Sequence, residues 1–371
     1  MTVYYWFYSI VTSLAVLIYV RKKDVDKQRK KVCIVSFFML FLLFALRHPY
    51  MGVDLGWGYS VGYLKSFEKI GQISFLEIFR MKNYLNYEKG YIIFNKIISL
   101  ISKNQQFFIG SCAFVSLLPI AIYTYKRSMM PLLSLFVFMG LPVFLIFFSG
   151  LRQSIAIGIT VASMFFVEKK KPIPFILTVI LAATFHKSAL IFLIAYPLYH
   201  TRFSNICKIL LLSFVPVVFV FRDLLFNLLS KLFRENAQIG STGAFLLFLV
   251  FVLIYVFLII FNDYCDKNNI DNERQNGLTN LCYLACIVQI FGGIYDIAMR
   301  VGYYFMIYMI IAIPNTIENF RHIRVKYNSY YTIVRIVIMV LFVGYGLYAI
   351  YDDSWARTNP YIFFWQFDLF K

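Results

Sequence analysis

No stretch of this chain is polar for long enough to build a soluble domain. Charged residues make up 15% of the 371, against 61% hydrophobic. Apolar runs of membrane-crossing length recur along the chain, which means a polytopic membrane protein rather than a globular one. A basic leader and a small-residue cleavage site are both missing at the N-terminus, so the first apolar run is expected to remain as a span. The six cysteines follow no metal-ligand spacing and imply no disulfide framework. Cys282 and Cys286, one helical turn apart in an apolar run, read as small core residues. There is no internal repeat, low-complexity tract or domain linker. No cluster of carboxylates suggests a required metal, and no cofactor is expected. Asp24-Val25-Asp26 has the look of the metal-binding triplet of nucleotide-sugar enzymes. It sits among lysines with no soluble domain around it, so charge neutralisation explains it.

What the chain has in excess is positive charge, a net +18. That suits anionic lipid surfaces and phosphate-bearing substrates. The basic residues lie in short loops rather than one patch, which argues against nucleic acid. Seven of the eleven residues from Arg21 to Lys31 are basic, placing that loop in the cytoplasm. The expected architecture is all-α, with about twelve transmembrane helices: 3–20, 32–46, 106–125, 131–148, 154–167, 172–185, 189–199, 206–221, 243–261, 278–291, 301–317 and 330–351. Loops at 126–127, 168–171, 202–208, 262–276 and 321–326 then fall inside. The stretch 172–199 is short for two spans of about 20 residues each. Both its ends are basic, so it is read as a short hairpin with His186 at the tip.

Segment 47–105 is expected on the external face. Its glycines and proline (Pro49, Gly52, Gly56, Gly58) favour a tight loop up to Tyr59. From 61 to 89 apolar and charged residues interleave, as in amphipathic helices lying on the interface. The run 92–101 is too short to span, carries Lys96 and reads as re-entrant or interfacial.

With loops placed by lysine and arginine alone, Arg47, Asp54, Glu88, Arg152, His186 and Arg300 all fall on the external side. Ionisable groups at membrane depth cost on the order of 3 kcal/mol, so they mark functional sites by default. Arg152 and Lys187 could instead snorkel to headgroups, but Gln153 gains nothing from lipid and His186 cannot reach far. Asp296, Arg300 and Tyr304 are spaced four apart and share one helical face; an i,i+4 ion pair would explain the first two as well.

Taken in order, Arg47…Gly52…Asp54…Tyr59, Glu88…Gly90, Arg152-Gln153, Phe185-His186-Lys187-Ser188-Ala189-Leu190, Arg300…Tyr303-Tyr304 and Asn359-Pro360-Tyr361 resemble the EpsG family. These are bacterial membrane proteins of exopolysaccharide and capsule synthesis, akin to Wzy-type repeat-unit polymerases. The resemblance runs over nearly the whole chain. It implies one transmembrane polymerase domain over 1–371, a multi-pass protein of the cytoplasmic membrane with its active site outside. Its donor and acceptor would be polyprenyl-pyrophosphate-linked glycans within the lipid bilayer. A chain-length regulator and a flippase of the same pathway are the further partners implied.

That chemistry needs positive charge on a pyrophosphate leaving group, for which arginine's rigid fork is suited. Arg152, Arg47 and Arg300 are the candidates. It also needs a base for the acceptor hydroxyl, for which histidine suits neutral pH. His186 is the candidate, with Asp54 or Glu88 as rival or as the group that orients it. Gln153, Glu88 and Tyr304 are expected to contact substrate. Two other classes compete. A flippase of lipid-linked sugars should carry cationic residues on two related halves, whereas here the charges gather on one face. A membrane O-acyltransferase would use His186 but leave three arginines without a role.

Overall fold

A computed structural model describes residues 1–20, 24–56, 62–80, 85–225, 243–268, 273–293, 296–323, 328–352 and 356–366. Every named element among them is a helix. They form two compact units, Met1–Leu190 with Val337–Lys371, and Ile191–Ile336.

The first unit holds ten α-helices in order: α1 (Thr2–Val20), α2 (Val25–Ala45), α3 (Tyr63–Gln72), α4 (Phe75–Arg80), α5 (Lys89–Ile101), α6 (Gln105–Arg127), α7 (Pro131–Met139), α8 (Val143–Ser149), α9 (Leu151–Glu168) and α10 (Pro172–Ala183). Helix α9 packs between α6 and α10, while α6 also packs on α2. Such close approach in a lipid-soluble core favours small residues at the contacts. Accordingly α9 buries Ser154, Ala156, Gly158, Thr160 and Ser163, and α6 buries Cys112, Ala113 and Ser116. The buried hydroxyls of Ser154, Thr160, Ser163 and Ser116 donate to carbonyls of their own helices, so none needs a partner across the interface.

The amphipathic reading of 61–89 holds in α3. Tyr63, Phe67 and Ile70 are buried while Lys65 and Lys69 face out, the three-to-four spacing of a surface helix. Phe67 stacks on Phe108 of α6 at 4.4 Å between centroids. In α5, Lys96 is buried and donates to the Gly71 carbonyl at the end of α3 (2.9 Å). At the start of α2, Asp24 caps the helix and Asp26 pairs with Arg29 and Lys30.

The second unit comprises α11 (Ala195–His200), α12 (Asn205–Val220), α13 (Gly243–Lys267), α14 (Glu273–Ile290), α15 (Asp296–Met306) and α16 (Met309–Ile323). A last helix, α17 (Asn328–Tyr351), runs on into the first unit. Gln275 donates to the Ala312 carbonyl and Thr316 Oγ1, and Asn262 donates to Thr279 Oγ1. This polar network ties α13, α14 and α16 together where an unpaired amide would be costly.

Among the described residues, the expected count of about twelve spans is not confirmed. Five described helices are long and apolar enough to cross a membrane: Thr2–Val20, Gln105–Arg127, Leu151–Glu168, Leu247–Lys267 and Tyr331–Tyr351. A sixth arises if α7 and α8 count as one span bent by 68°. The break at Gly140-Leu141-Pro142 follows from proline, which lacks the N–H that would continue the ladder. The expected span 301–317 divides into α15 and α16. The second limb of the 172–199 hairpin is a 3-10 turn, Lys187–Ile194, followed by the six-residue α11. The expected inside loop 262–276 is mostly helical instead, and buries Asn262 and Gln275.

Candidate active site

The 3-10 turn Val53–Leu55 follows Gly52 and lies against the end of α8. Gly52 has φ +100°, and a Cβ there would sit 2.1 Å from the Phe148 carbonyl oxygen, so only glycine lets the loop pass this close. Two residues on, the Asp54 N–H donates to Ser149 Oγ at 3.1 Å. The chain then turns through Gly150 into α9, whose second residue is Arg152.

Arg152 carries a positive charge at a helix N-terminus, the end where the macrodipole disfavours cations. Its neutralising partner comes from elsewhere. The Arg152 Nη1 donates to Glu88 Oε2 at 2.6 Å, and Nε donates to the Tyr63 hydroxyl at 3.3 Å. The guanidinium also lies over the Tyr87 ring at 4.6 Å, a cation–π contact worth about 1 kcal/mol or more. Tyr63, Tyr87 and Tyr91 pack edge-to-face or tilted against one another. Burial pushes the Tyr63 phenol up to about 12, an upward push that nearby Asp54 reinforces and Arg152 opposes. Tyr63 is therefore a neutral hydroxyl at physiological pH.

Glu88 reaches a third element as well. Its Oε1 accepts from the backbone N–H of Lys187 at 3.2 Å. Close approach of α5 to the end of α10 makes this possible. The Tyr91 N–H donates to the Thr184 carbonyl (3.2 Å), and a Cβ on Gly90 would lie 2.1 Å from Thr184 Oγ1. Phe185 is anchored against Phe94, leaving the next residue, His186, half-buried. The His186 Nδ1 is 2.6 Å from Ser188 Oγ, a bond that orients the ring. Glu88 thus joins three segments that are remote in sequence: the approach to α5, the start of α9 and the turn after His186.

The EpsG family model matches residues 30–363. The chain belongs to the EpsG family. Members of this family are Wzy-type polymerases. No curated protein and no solved structure matches the chain.

In this EpsG-family chain, the first unit holds most of the sequence-derived candidates. Arg152, Glu88 and the His186 turn are brought together, with Asp54 beside Ser149 and within electrostatic reach of Tyr63. Gln153, next to Arg152, is buried in the helix core. Arg47 makes a different set of contacts. It is only 1% exposed, donates to the Phe147 carbonyl at 2.8 Å and lies over the Phe148 and Phe44 rings. Burial lowers its guanidinium to about 10, so it remains a cation at neutral pH. Arg300 and Tyr304 belong to the second unit, in α15, where Tyr304 is fully buried. Tyr59 and the side chain of Asp296 lie outside the described residues. The Asn359-Pro360-Tyr361 motif braces the helix ends: Asn359 accepts from the Met1 amine, and the Tyr361 hydroxyl donates to the Leu43 carbonyl. Sequence reasoning missed Tyr63 and Tyr87. The signal for Tyr87 was its place directly before Glu88.

Proposed function

We propose that this protein is a membrane glycosyltransferase that polymerises polyprenyl-pyrophosphate-linked oligosaccharide repeat units on the outer face of the cytoplasmic membrane. The observation that carries this reading is the Arg152–Glu88–Lys187 cluster, at the opposite end of α9 from the basic end. There Arg127 pairs with Glu168, Arg29 donates to the Ser128 carbonyl, and Lys169, Lys170 and Lys171 are exposed. Basic ends face the cytoplasm, so the Arg152 end is read as external. An 18-residue helix is about 27 Å long, close to the hydrocarbon thickness.

In the reaction, an acceptor sugar hydroxyl attacks the anomeric carbon of the donor glycan. The bond from that carbon to the pyrophosphate oxygen breaks, and its electron pair leaves with the carrier. Arg152 neutralises the charge that builds on the leaving group. His186 takes the hydroxyl proton on its imidazole, whose Nδ1 lies 2.6 Å from Ser188 Oγ. Asp54 is the second candidate base. Arg47 and Arg300 are weaker candidates for the pyrophosphate, and Gln153, Glu88 and Tyr304 for the glycan. The reaction as written uses neither metal nor cofactor. A chain-length regulator and a flippase complete the proposed partners.

Two experiments test this. Purified protein supplied with a lipid-linked repeat unit is expected to make higher oligomers; lipid translocation without oligomers would favour a flippase instead. In a background lacking the exposed Cys207, Lys89→Cys should react with an impermeant thiol reagent on intact cells and Lys169→Cys should not. The reverse pattern would overturn the external assignment.

A further inference from the structure

Glu88 occupies the N-cap position of α5, yet its side chain makes no bond to α5. Residues at that position ordinarily turn back to the first-turn N–H groups. Here one of those groups, on Tyr91, is already taken by the Thr184 carbonyl, and the carboxylate points away. One oxygen meets the Arg152 guanidinium and the other the Lys187 N–H. A charged fork and a backbone N–H converging on two oxygens of one anion is also the donor set that phosphate groups use. The pair is within reach of solvent, with 21% of the Arg152 side chain and 12% of the Glu88 side chain exposed.

We propose that Glu88 is a displaceable internal anion. It fills the Arg152–Lys187 donor set until a phosphate oxygen of the substrate's pyrophosphate takes its place. This rests on the assignment of Arg152 to the pyrophosphate made above. The backbone on both sides is fixed, through Tyr91 to Thr184 and through Gly90's contact with Thr184. Opening therefore needs only a side-chain rotation of Glu88, which is fast on the scale of turnover. A pyrophosphate carries more negative charge than one carboxylate and so can win the exchange. A glycan without the charged headgroup cannot. The plug would thus couple opening of the site to arrival of a lipid-linked sugar and exclude neutral glycans.

The test is anion binding to the purified full-length protein, using inorganic pyrophosphate and farnesyl pyrophosphate as probes. Glu88→Gln keeps the shape and an acceptor for Lys187 but removes the competing charge. It is expected to bind both probes about tenfold more tightly than the native protein. A larger gain for farnesyl pyrophosphate assigns the site to the carrier headgroup and an equal gain to pyrophosphate alone; either outcome supports the plug. Unchanged or weaker binding in Glu88→Gln overturns the plug. If Arg152→Lys also weakens binding in that case, the assignment of Arg152 survives. If Arg152→Lys changes nothing, both ideas fall. A second measurement needs no variant. Carbodiimide-driven amine labelling of Glu88 in the native protein should rise several-fold with saturating pyrophosphate, and a flat response overturns the proposal.

Discussion

The two ends of α9 carry the same pair of residue types and differ in what lies beyond that pair. At each end the charge opposes the helix dipole: a cation, Arg152, in the first turn and an anion, Glu168, at the last residue. Each is answered by an ion pair from another element, Glu88 at one end and Arg127 at the other. A tyrosine hydroxyl joins both, Tyr63 accepting from Arg152 and Tyr123 donating to Glu168. Beyond that the likeness stops. The Glu168 pair joins the ends of two packed helices, with Lys126 and Arg127 lying over Phe165. The Arg152 pair is built on loops and turns, next to His186, Asp54 and a cluster of tyrosines. The candidate site therefore differs from a structural ion pair in the acid and base groups around it.

The largest expected effect breaks the Arg152 end. Arg152→Lys keeps the charge and loses the fork, so polymer formation should fall about a hundredfold or more while the protein accumulates normally. Normal product from this variant would reduce Arg152 to a headgroup contact. Its counterpart Glu168→Gln leaves Arg127 without its carboxylate. It should lower thermal stability, by up to about 3 kcal/mol, with little change in product per folded molecule.

His186 has no equivalent at the Glu168 end, and that difference can be sharpened. Glutamine can keep one hydrogen bond but cannot accept the proton. His186→Gln should slow chain growth about a hundredfold, the usual scale for a general base. Near-normal chain lengths would move the base to Asp54.

A smaller effect is expected from Gly90→Ala. The added methyl would collide with Thr184 and part α5 from the turn that carries His186. A stability loss of about 1–3 kcal/mol is expected. A melting temperature equal to that of the native protein would show that the contact is not tight.

Much of the framework could be read from periodicity and charge. Helices α1, α6 and α9 fall where the apolar runs are, and α3 buries the face its spacing marks. Hydropathy did not reveal the break in 131–148, because both halves are apolar and only Gly140 and Pro142 interrupt them. It also misjudged 262–276, whose amides look like a loop until Asn262 and Gln275 meet Thr279 and Thr316 across three helices. At the candidate site, Arg152 and His186 stood out as polar groups at the tips of apolar runs, and Glu88 by its external placement and the family resemblance. Their meeting could not be read, since Glu88 and Arg152 are 64 residues apart and share no periodic pattern. Arg47 was the weaker candidate for the role given to Arg152. Burial and partner now separate them, Arg47 sealed among phenylalanine rings and Arg152 paired with Glu88.

If the Arg152 pair serves the reaction and the Glu168 pair only ties helices together, exchanging the charges within each pair will tell them apart, with oligomer length from a lipid-linked repeat unit measured per folded molecule. Both exchanges give α9 the charge its dipole prefers. Arg127→Glu with Glu168→Arg should still yield long oligomers, whereas Glu88→Arg with Arg152→Glu should yield none. Long oligomers from the second exchange, made by folded protein, would show that the Arg152 pair is structural too.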